Sequence, residues 1–541
     1  RIDNTHSEYE GKLYASSSNT LTDGSTQGHY TVNNGQYSQT YADVLVNINK
    51  RIQDFTIVAN IGASYSGVTS KELGYAGPIR ETGIPNLFNV YDLDNAKKRA
   101  TQVGWREATE SVFASAEVGW KSMLYLTVTG RNDWASQLTH SPQASFFYPS
   151  VGLSAVITEM LKLPDWVDYL KVRGSFSSVG NPYPRFLTYP TYSYDANKQD
   201  WKSQTNYPIG KLYPERTDSW EIGLDATLFK DFKLSGSFYY ANTYNQTFDP
   251  RLPVSSGYDK LYVQTGYVRN YGFEAMLSYG HRWGDFSWDS SFTFSANKNE
   301  IVELVKDYVH PETGKTYNVD KLELKTDEGR GFGKAKFILK EGGTLGDLYT
   351  HADLKRDING NILIDDSGNV TAIDNAGDIK LGSVLPKANL AWNNSFSYKG
   401  INAGFLLTAR LGGIVYSATQ AYLDLYGVSE TSAAARDAGG VWVNGRSRVN
   451  PQSFYEVVAS QSGLPTYYTY SATNLRLQEA HIGYTIPRRW LGNVCDINVS
   501  LVGRNLWMIY CKAPFDPEAV ATTNNYYQGI DYFMMPSTRN I

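Results

Sequence analysis

Residues 217–228 read TDSWEIGLDATL. Trp220, Ile222, Leu224, Ala226 and Leu228 fall on one face, and Ser219, Glu221, Gly223, Asp225 and Thr227 on the other. A period of two is the signature of a β-strand. The same alternation recurs along the chain. Phe55, Ile57, Ala59, Ile61, Ala63 and Tyr65 interleave with Thr56, Val58, Asn60, Gly62 and Ser64, and Phe286, Trp288, Phe292 and Phe294 oppose Ser287, Asp289, Ser291, Thr293 and Ser295. In 474–486 the phase changes, because Leu475 and Leu477 give way to Ala480, Ile482 and Tyr484, and a β-bulge is expected there.

Read this way, the sequence predicts about fifteen strands: 2–15, 37–50, 53–67, 106–119, 121–130, 146–157, 168–179, 217–228, 233–247, 263–279, 286–297, 387–398, 401–411, 474–486 and 495–506. The links between them alternate in length. Tight turns are expected at Arg51–Ile52, Trp120, Phe229–Phe232, Gly280–Asp285 and Lys399–Gly400, with 158–167 and 487–494 also counted as short. The segments 16–36, 68–105, 131–145, 180–216, 248–262, 298–386, 412–473 and 507–541 are long. Outer-membrane barrels have short periplasmic turns and long extracellular loops. The expected fold class is therefore all-β, a transmembrane antiparallel β-barrel with its long loops outside the cell. Bacterial single-chain barrels have even strand numbers, so an odd count leads to the expectation that further barrel strands lie outside these residues.

Composition agrees. The chain has 541 residues, and no run of about 18 apolar residues exists to form a membrane-spanning helix. A mean hydropathy of −0.40 is what averaging outward apolar with inward polar residues produces. Tyr is abundant at 41 residues, as suits membrane–water interfaces, where a ring has an apolar end and a wet end. A net charge of −4 gives no reason to expect nucleic-acid binding. Two Cys exclude a disulfide framework and a Cys-rich zinc site. Cys495 is expected to begin the last strand at its periplasmic end and Cys511 to lie beyond its extracellular end, too far apart to be bridged, and so both free.

Several segments carry a family likeness: GRNDWASQ (130–137), FFYPSVGLSAVITE (146–159), YLKVRGSFSSVGN (169–181), YPERTDSWEIGLDATLFKDFKLSGSFYYANTYNQ (213–246), VRNYGFEAMLSY (268–279), GDIKLGSVLPKANLAWNNSFSYKGI (377–401), NLRLQEAHIGYTIP (474–487) and VSLVGRNLWMIYCKAPFDPE (499–518). In this order they resemble the SusC/RagA family of TonB-dependent outer-membrane transporters. The resemblance implies a barrel of about 22 strands, large enough to be plugged. Residues 1–541 would then be the C-terminal part of the barrel, with the plug domain, the first strands and the last strand lying outside them. It also implies a Gram-negative, Bacteroidetes-type outer membrane and an outer-membrane lipid environment. The implied partners are a SusD/RagB-like surface lipoprotein as lid and a TonB–ExbB–ExbD complex that energises import through the N-terminal region. The implied substrates are oligosaccharides or peptides, and the implied role is transport, not catalysis.

Residues for binding are sought on the long loops. Exposed aromatic rings stack on sugars and grip peptide side chains, which singles out Tyr192, Tyr194, Trp201 and Tyr207 in 180–216 and Tyr467 and Tyr468 in the TYYTY run 466–470. The competing reading is that these rings pack the loops. The segment RDINGNILIDD (356–366) offers oxygen ligands suited to Ca²⁺ at Asp357, Asn359, Asn361, Asp365 and Asp366, but lacks the EF-hand Gly and final acid. An Asn359–Gly360 turn joining two short strands is the plainer reading, so no cofactor is expected otherwise. The seven His lie in no recognisable nucleophile motif. Inward charges such as Glu221, Asp225 and Glu274 are expected to be solvated by the lumen or paired with Lys171 and Arg173. Rival readings are an adhesive or secretion barrel without transport, a barrel enzyme, and a soluble carbohydrate-binding protein.

Overall fold

The computed structural model describes residues 1–187, 192–195, 200–202, 212–248, 262–309, 314–324, 331–522 and 527–541. Fifteen strands form one sheet in sequence order, each antiparallel to the next. They are β1 Ile2–Tyr14, β2 Gly28–Ile52, β3 Phe55–Pro78, β4 Arg99–Trp120, β5 Leu124–Ala135, β6 Ser145–Val156, β7 Val167–Asn181, β8 Glu215–Leu228, β9 Phe232–Phe248, β10 Val263–Trp283, β11 Phe286–Glu303, β12 Ala388–Tyr398, β13 Ile401–Leu411, β14 Asn474–Ile486 and β15 Ile497–Cys511. Every expected strand is present. No helix is long and apolar enough to cross a membrane.

The alternation in β8 has the predicted sense. Trp220 and Ile222 are about 60% exposed, an exposure that only a lipid-facing wall makes sensible. Register carries this face to Tyr240 and Phe238 on β9, Tyr271 and Phe273 on β10, and Phe294 on β11. Leu228 to Asp218 covers ten residues, about 33 Å of strand; at a tilt of about 40° that is about 25 Å of bilayer. At the short-turn end, aromatic rings form a belt. Trp166 stacks on Phe229 (5.5 Å), Phe232 lies tilted against Tyr279 (4.7 Å), Tyr279 meets Trp288 edge-on (5.2 Å) and Trp288 stacks on Phe396 (6.3 Å). Such girdles mark a membrane interface.

Three expectations are corrected. First, β2, β3 and β4 run well beyond their expected ends, into the segments 16–36 and 68–105 read as loops. Above the bilayer neither face meets lipid, so the apolar alternation stops while the backbone ladder continues. Second, Arg51, Ile52, Trp120 and Gly280–Trp283 are still paired, and the turns lie just beyond them. The turn after Trp120 uses positive φ at Lys121 (50°) and Ser122 (58°), values that hydrophobic patterning does not report. Third, Cys511 ends β15 instead of lying beyond it, while Cys495 precedes that strand, and both are free.

The phase change in β14 is a bulge. Leu407 pairs with Leu477 and Leu406 with Glu479, which leaves Gln478 as the extra residue. Gln478 hydrogen-bonds Asn505 across the sheet (3.0 Å).

Candidate binding mouth

Inside the wall, charge is paired as anticipated at Arg173, which bonds Asp225 (2.8 Å) and Glu221 (3.1 Å); Ser235 also donates to Asp225 (2.7 Å). Among the described residues no such partner is found for Lys171. A cavity of about 830 Å³ opens along this inner face. Arg173, Ser237, Glu274, Thr408, Gln478 and Glu518 line it together with Met276, Phe294 and Leu390, so its wall mixes hydrogen-bonding and apolar groups.

The described parts of several long loops at the outer end are folded. Segments from 304–387, 412–473 and 512–541 share one apolar core around Phe337, Leu348, Tyr416, Leu464 and Ile530, each nearly or fully buried. A second core joins Leu138, Tyr183, Leu212, Ile301 and Leu304 to Leu339. The strand Ala335–Lys340 links the two, since Phe337 enters one and Leu339 the other. A parallel bridge from Tyr416 to Ile530 ties the 412–473 loop to the C-terminal segment. The result is a hood on the extracellular end of the barrel.

Its helices start where capping chemistry places them. Ser417 caps Ala418–Leu425, Ser429 caps Glu430–Asp437, and Asn450 followed by Pro451 caps Pro451–Val458. Gly463 (φ +89°) is needed on steric grounds: a Cβ would stand 2.5 Å from the Tyr468 ring and 2.6 Å from Ala421.

Buried polar groups in the hood are matched to partners. Ser417 donates to Asp531 (2.5 Å). Asp424 accepts from Tyr468 Oη (2.9 Å) and from Ser429. Burial, together with the nearby Asp424 carboxylate, raises the Tyr468 phenol far above its ordinary value and pushes Tyr470 up to about 12. The C-terminal segment is held to the wall by Arg476, which grips Asp516 with both terminal nitrogens (2.8 and 3.1 Å) and reaches Glu518 (3.1 Å). Burial of Asp516 favours its neutral form. The Arg476 guanidinium, the Glu518 backbone N–H and Ser537 outweigh that effect and hold its carboxyl below the usual range.

The singled-out aromatics separate by environment. Tyr192, Tyr194 and Trp201 are exposed, and Tyr194 meets Trp201 edge-on at 5.3 Å. Tyr207 lies outside the described residues. Tyr467 is partly buried and packs against Phe454 (6.2 Å). Tyr468 is only 2% exposed. Its ring belongs to the hood core, and the expectation that it meets substrate is corrected, since the surrounding loop already occupies both its ring and its hydroxyl. A further cluster joins Phe332, Tyr532, Phe533 and Tyr422, with ring centroids from 4.4 to 6.3 Å apart. Tyr532 and Phe533 are exposed. The run NNYYQGIDYF (524–533) was its sequence signal; its partners Phe332 and Tyr422 come from two other loops.

The 357–366 loop is a turn. Asp357 accepts from the backbone N–H of Asn359 (2.9 Å) and Asn361 (2.8 Å), and Asp365 from Ser367 and Asn369 (both 2.9 Å). Hydrogen bonds from Asn361 lower the Asp357 pKa. Isolated bridges, Arg356 to Ile362 and Ile364 to Val370, stand where two short strands were expected. Among the described residues no group of three or more His, Cys, Asp or Glu is arranged to hold a metal ion.

A membrane-high apolar wall, a polar inner face, an aromatic girdle and long folded outer loops define an integral outer-membrane β-barrel. More narrowly, the chain belongs to the TonB-dependent receptor family. The family model described as "TonB dependent receptor-like, beta-barrel" matches residues 3–506. Members of this family are receptors and transporters, not enzymes. The chain is 24% identical over 515 residues to TonB-dependent receptor P3 of Formosa agariphila, covering 88% of this chain and 49% of that protein. It is 24% identical over 433 residues to TonB-dependent receptor SusC of Bacteroides thetaiotaomicron, covering 73% and 40%. Its fold is similar to that in the structure of the RagAB peptide transporter, with a TM-score of 0.75 at 17% identity over 99% of this chain and 58% of that one. The chain spans about half the length of the curated relatives it matches.

Proposed function

We propose that these residues are the C-terminal barrel portion of an outer-membrane importer. It captures oligosaccharides or peptides at its extracellular mouth, under a SusD/RagB-like surface lipoprotein that acts as lid. A TonB–ExbB–ExbD complex supplies the energy through the N-terminal region. The observation that carries this reading is the hood of packed loops with exposed rings, set on a barrel whose inner face is polar: rings suit sugar faces and peptide side chains, and hydroxyl and amide groups suit the passage of a polar oligomer. Tyr192, Tyr194 and Trp201 are the proposed contacts, with Tyr207 and Tyr467 as further candidates. Occupation of the 357–366 loop by Ca²⁺ would require the Asp357 and Asp365 carboxylates to give up their turn hydrogen bonds.

The test is uptake of labelled oligosaccharides and peptides by cells with and without the intact gene. Import that disappears on its deletion and on deletion of the TonB-type partner supports the proposal. Unchanged import of every substrate, with loss of surface adhesion instead, would favour the adhesive reading.

A further inference from the structure

On the lipid-facing side of β8–β11, the rows above the apolar wall carry aromatic and basic residues, with two acids among them. Ile222, Phe238, Phe273 and Ala296 form the last wholly apolar row. Above it, on the same face, stand Trp220, Tyr240, Tyr271 and Lys298, then Asp218, Asn242, Arg269 and Glu300, and beyond them Arg216, Tyr244 and Tyr267. By the strand arithmetic above, the Lys298 row lies about 20 Å and the Arg269 row about 25 Å from the periplasmic end of the wall, toward the headgroup level of the outer leaflet.

The cations are only partly neutralised. Arg216 is matched by Asp218 (2.8 Å). Arg269 stacks over Tyr240 (5.5 Å) and Tyr267 (5.6 Å) and donates to Tyr267 Oη (3.0 Å). It reaches Glu300 only at 4.0 Å, and its buried Nε has no hydrogen-bond partner among the described residues. Lys298 lies 5.5 Å over the Tyr271 ring and has no carboxylate within 4.0 Å among the described residues. Glu303, at the top of β11, is turned toward Lys306 (3.8 Å). Rings hold both charged heads in place, and the exposed Lys298 ammonium is left without a carboxylate beside it at the height where lipid headgroups lie.

We infer that Arg269 and Lys298, framed by Tyr240, Tyr267 and Tyr271, form a binding site for the phosphate headgroup of an outer-leaflet glycolipid. The anionic phosphate supplies the counter-charge that Lys298 lacks and that Arg269 meets only at 4.0 Å in Glu300, and the acyl chains lie along Phe238 and Phe273 below. The site faces away from the lumen and does not depend on what the barrel imports.

Full-length protein extracted in mild detergent is the material for the test. Its retention of bis-phosphorylated lipid A is measured by native mass spectrometry, alongside dephosphorylated lipid A and inorganic phosphate. Each basic group at a membrane surface is worth about a factor of five, so Arg269→Gln with Lys298→Gln is expected to weaken retention about twenty- to thirtyfold. The single variant Lys298→Gln is expected to lose about fivefold. Lys171→Gln, which removes a charge from the inner wall, is expected to change nothing. Far-UV circular dichroism of each variant confirms an intact barrel. Equal retention of dephosphorylated lipid A, or equal retention by the double variant, would overturn the assignment. A thermal shift reproduced in full by inorganic phosphate would replace the lipid site with a free-anion site.

Discussion

At the residue scale, ring position separates two kinds of tyrosine that look alike in sequence. Tyr468→Phe removes a hydrogen bond to buried Asp424 and is expected to destabilise the hood by about 1–3 kcal/mol. Trp201→Ala removes an exposed ring and is expected to leave the melting temperature within a degree or two while weakening ligand binding. Differential scanning fluorimetry beside a binding titration separates the two. Arg476→Met leaves Asp516 and Glu518 facing the inner wall without their cation, and breaking a buried pair costs about 3–5 kcal/mol. Limited proteolysis should then release the C-terminal segment first. Acid has a related effect. The pKa values of Asp516 and Asp378 are lowered, the latter by the Lys321 ammonium and then by His351. Such groups stabilise the fold at pH above the ordinary carboxylate value, and the contribution is lost as pH falls through the lowered one. The hood is therefore expected to loosen below about pH 4, which hydrogen exchange of 372–383 and 512–520 would detect. Exchange in those segments that stays constant down to pH 2 would refute this.

At the element scale, strands obey two different rules along their length. In the bilayer the faces alternate because one meets lipid and the other water, and this made β8 readable from twelve letters. Leu224 sits near the middle of the apolar wall, and Leu224→Arg is expected to cost about 2–4 kcal/mol, measured by urea unfolding in detergent or liposomes. The same change at Asp225, which faces the lumen, should cost less, although it breaks the pair with Arg173. Beyond the bilayer the rule lapses. The upper parts of β2 and β3 were not legible, since no solvent contrast marks their faces. The bulge at Gln478 was legible because it sits within the membrane-crossing part, where a one-residue slip would put Leu475 and Leu477 against the lumen.

At the scale of the whole molecule, the hood is a composite of loops distant in sequence. Tyr416 and Ile530 are 114 residues apart and adjacent in space. Replacing residues 418–468 with a short Gly/Ser linker would strip Tyr455, Val458 and Leu464 from the core. The barrel strands should still form, with native strand content, while residues 335–350 and 527–533 become protease-sensitive. Loss of the strand signal as well would show that the hood and the barrel fold as one unit.

The strands, their order and the family likeness were legible before any packing was known. Each of these rests on local alternation, on the lengths of neighbouring links or on contiguous motifs. Which aromatic rings face outward, which carboxylates Arg476 and Arg173 hold, and how Arg269 and Lys298 come to share one patch emerge only in the packed molecule. The physical reason is distance along the chain. A membrane imposes its pattern on every two residues, whereas the hood and the outer patch are made by side chains whose partners are fixed only when separate strands and loops pack together.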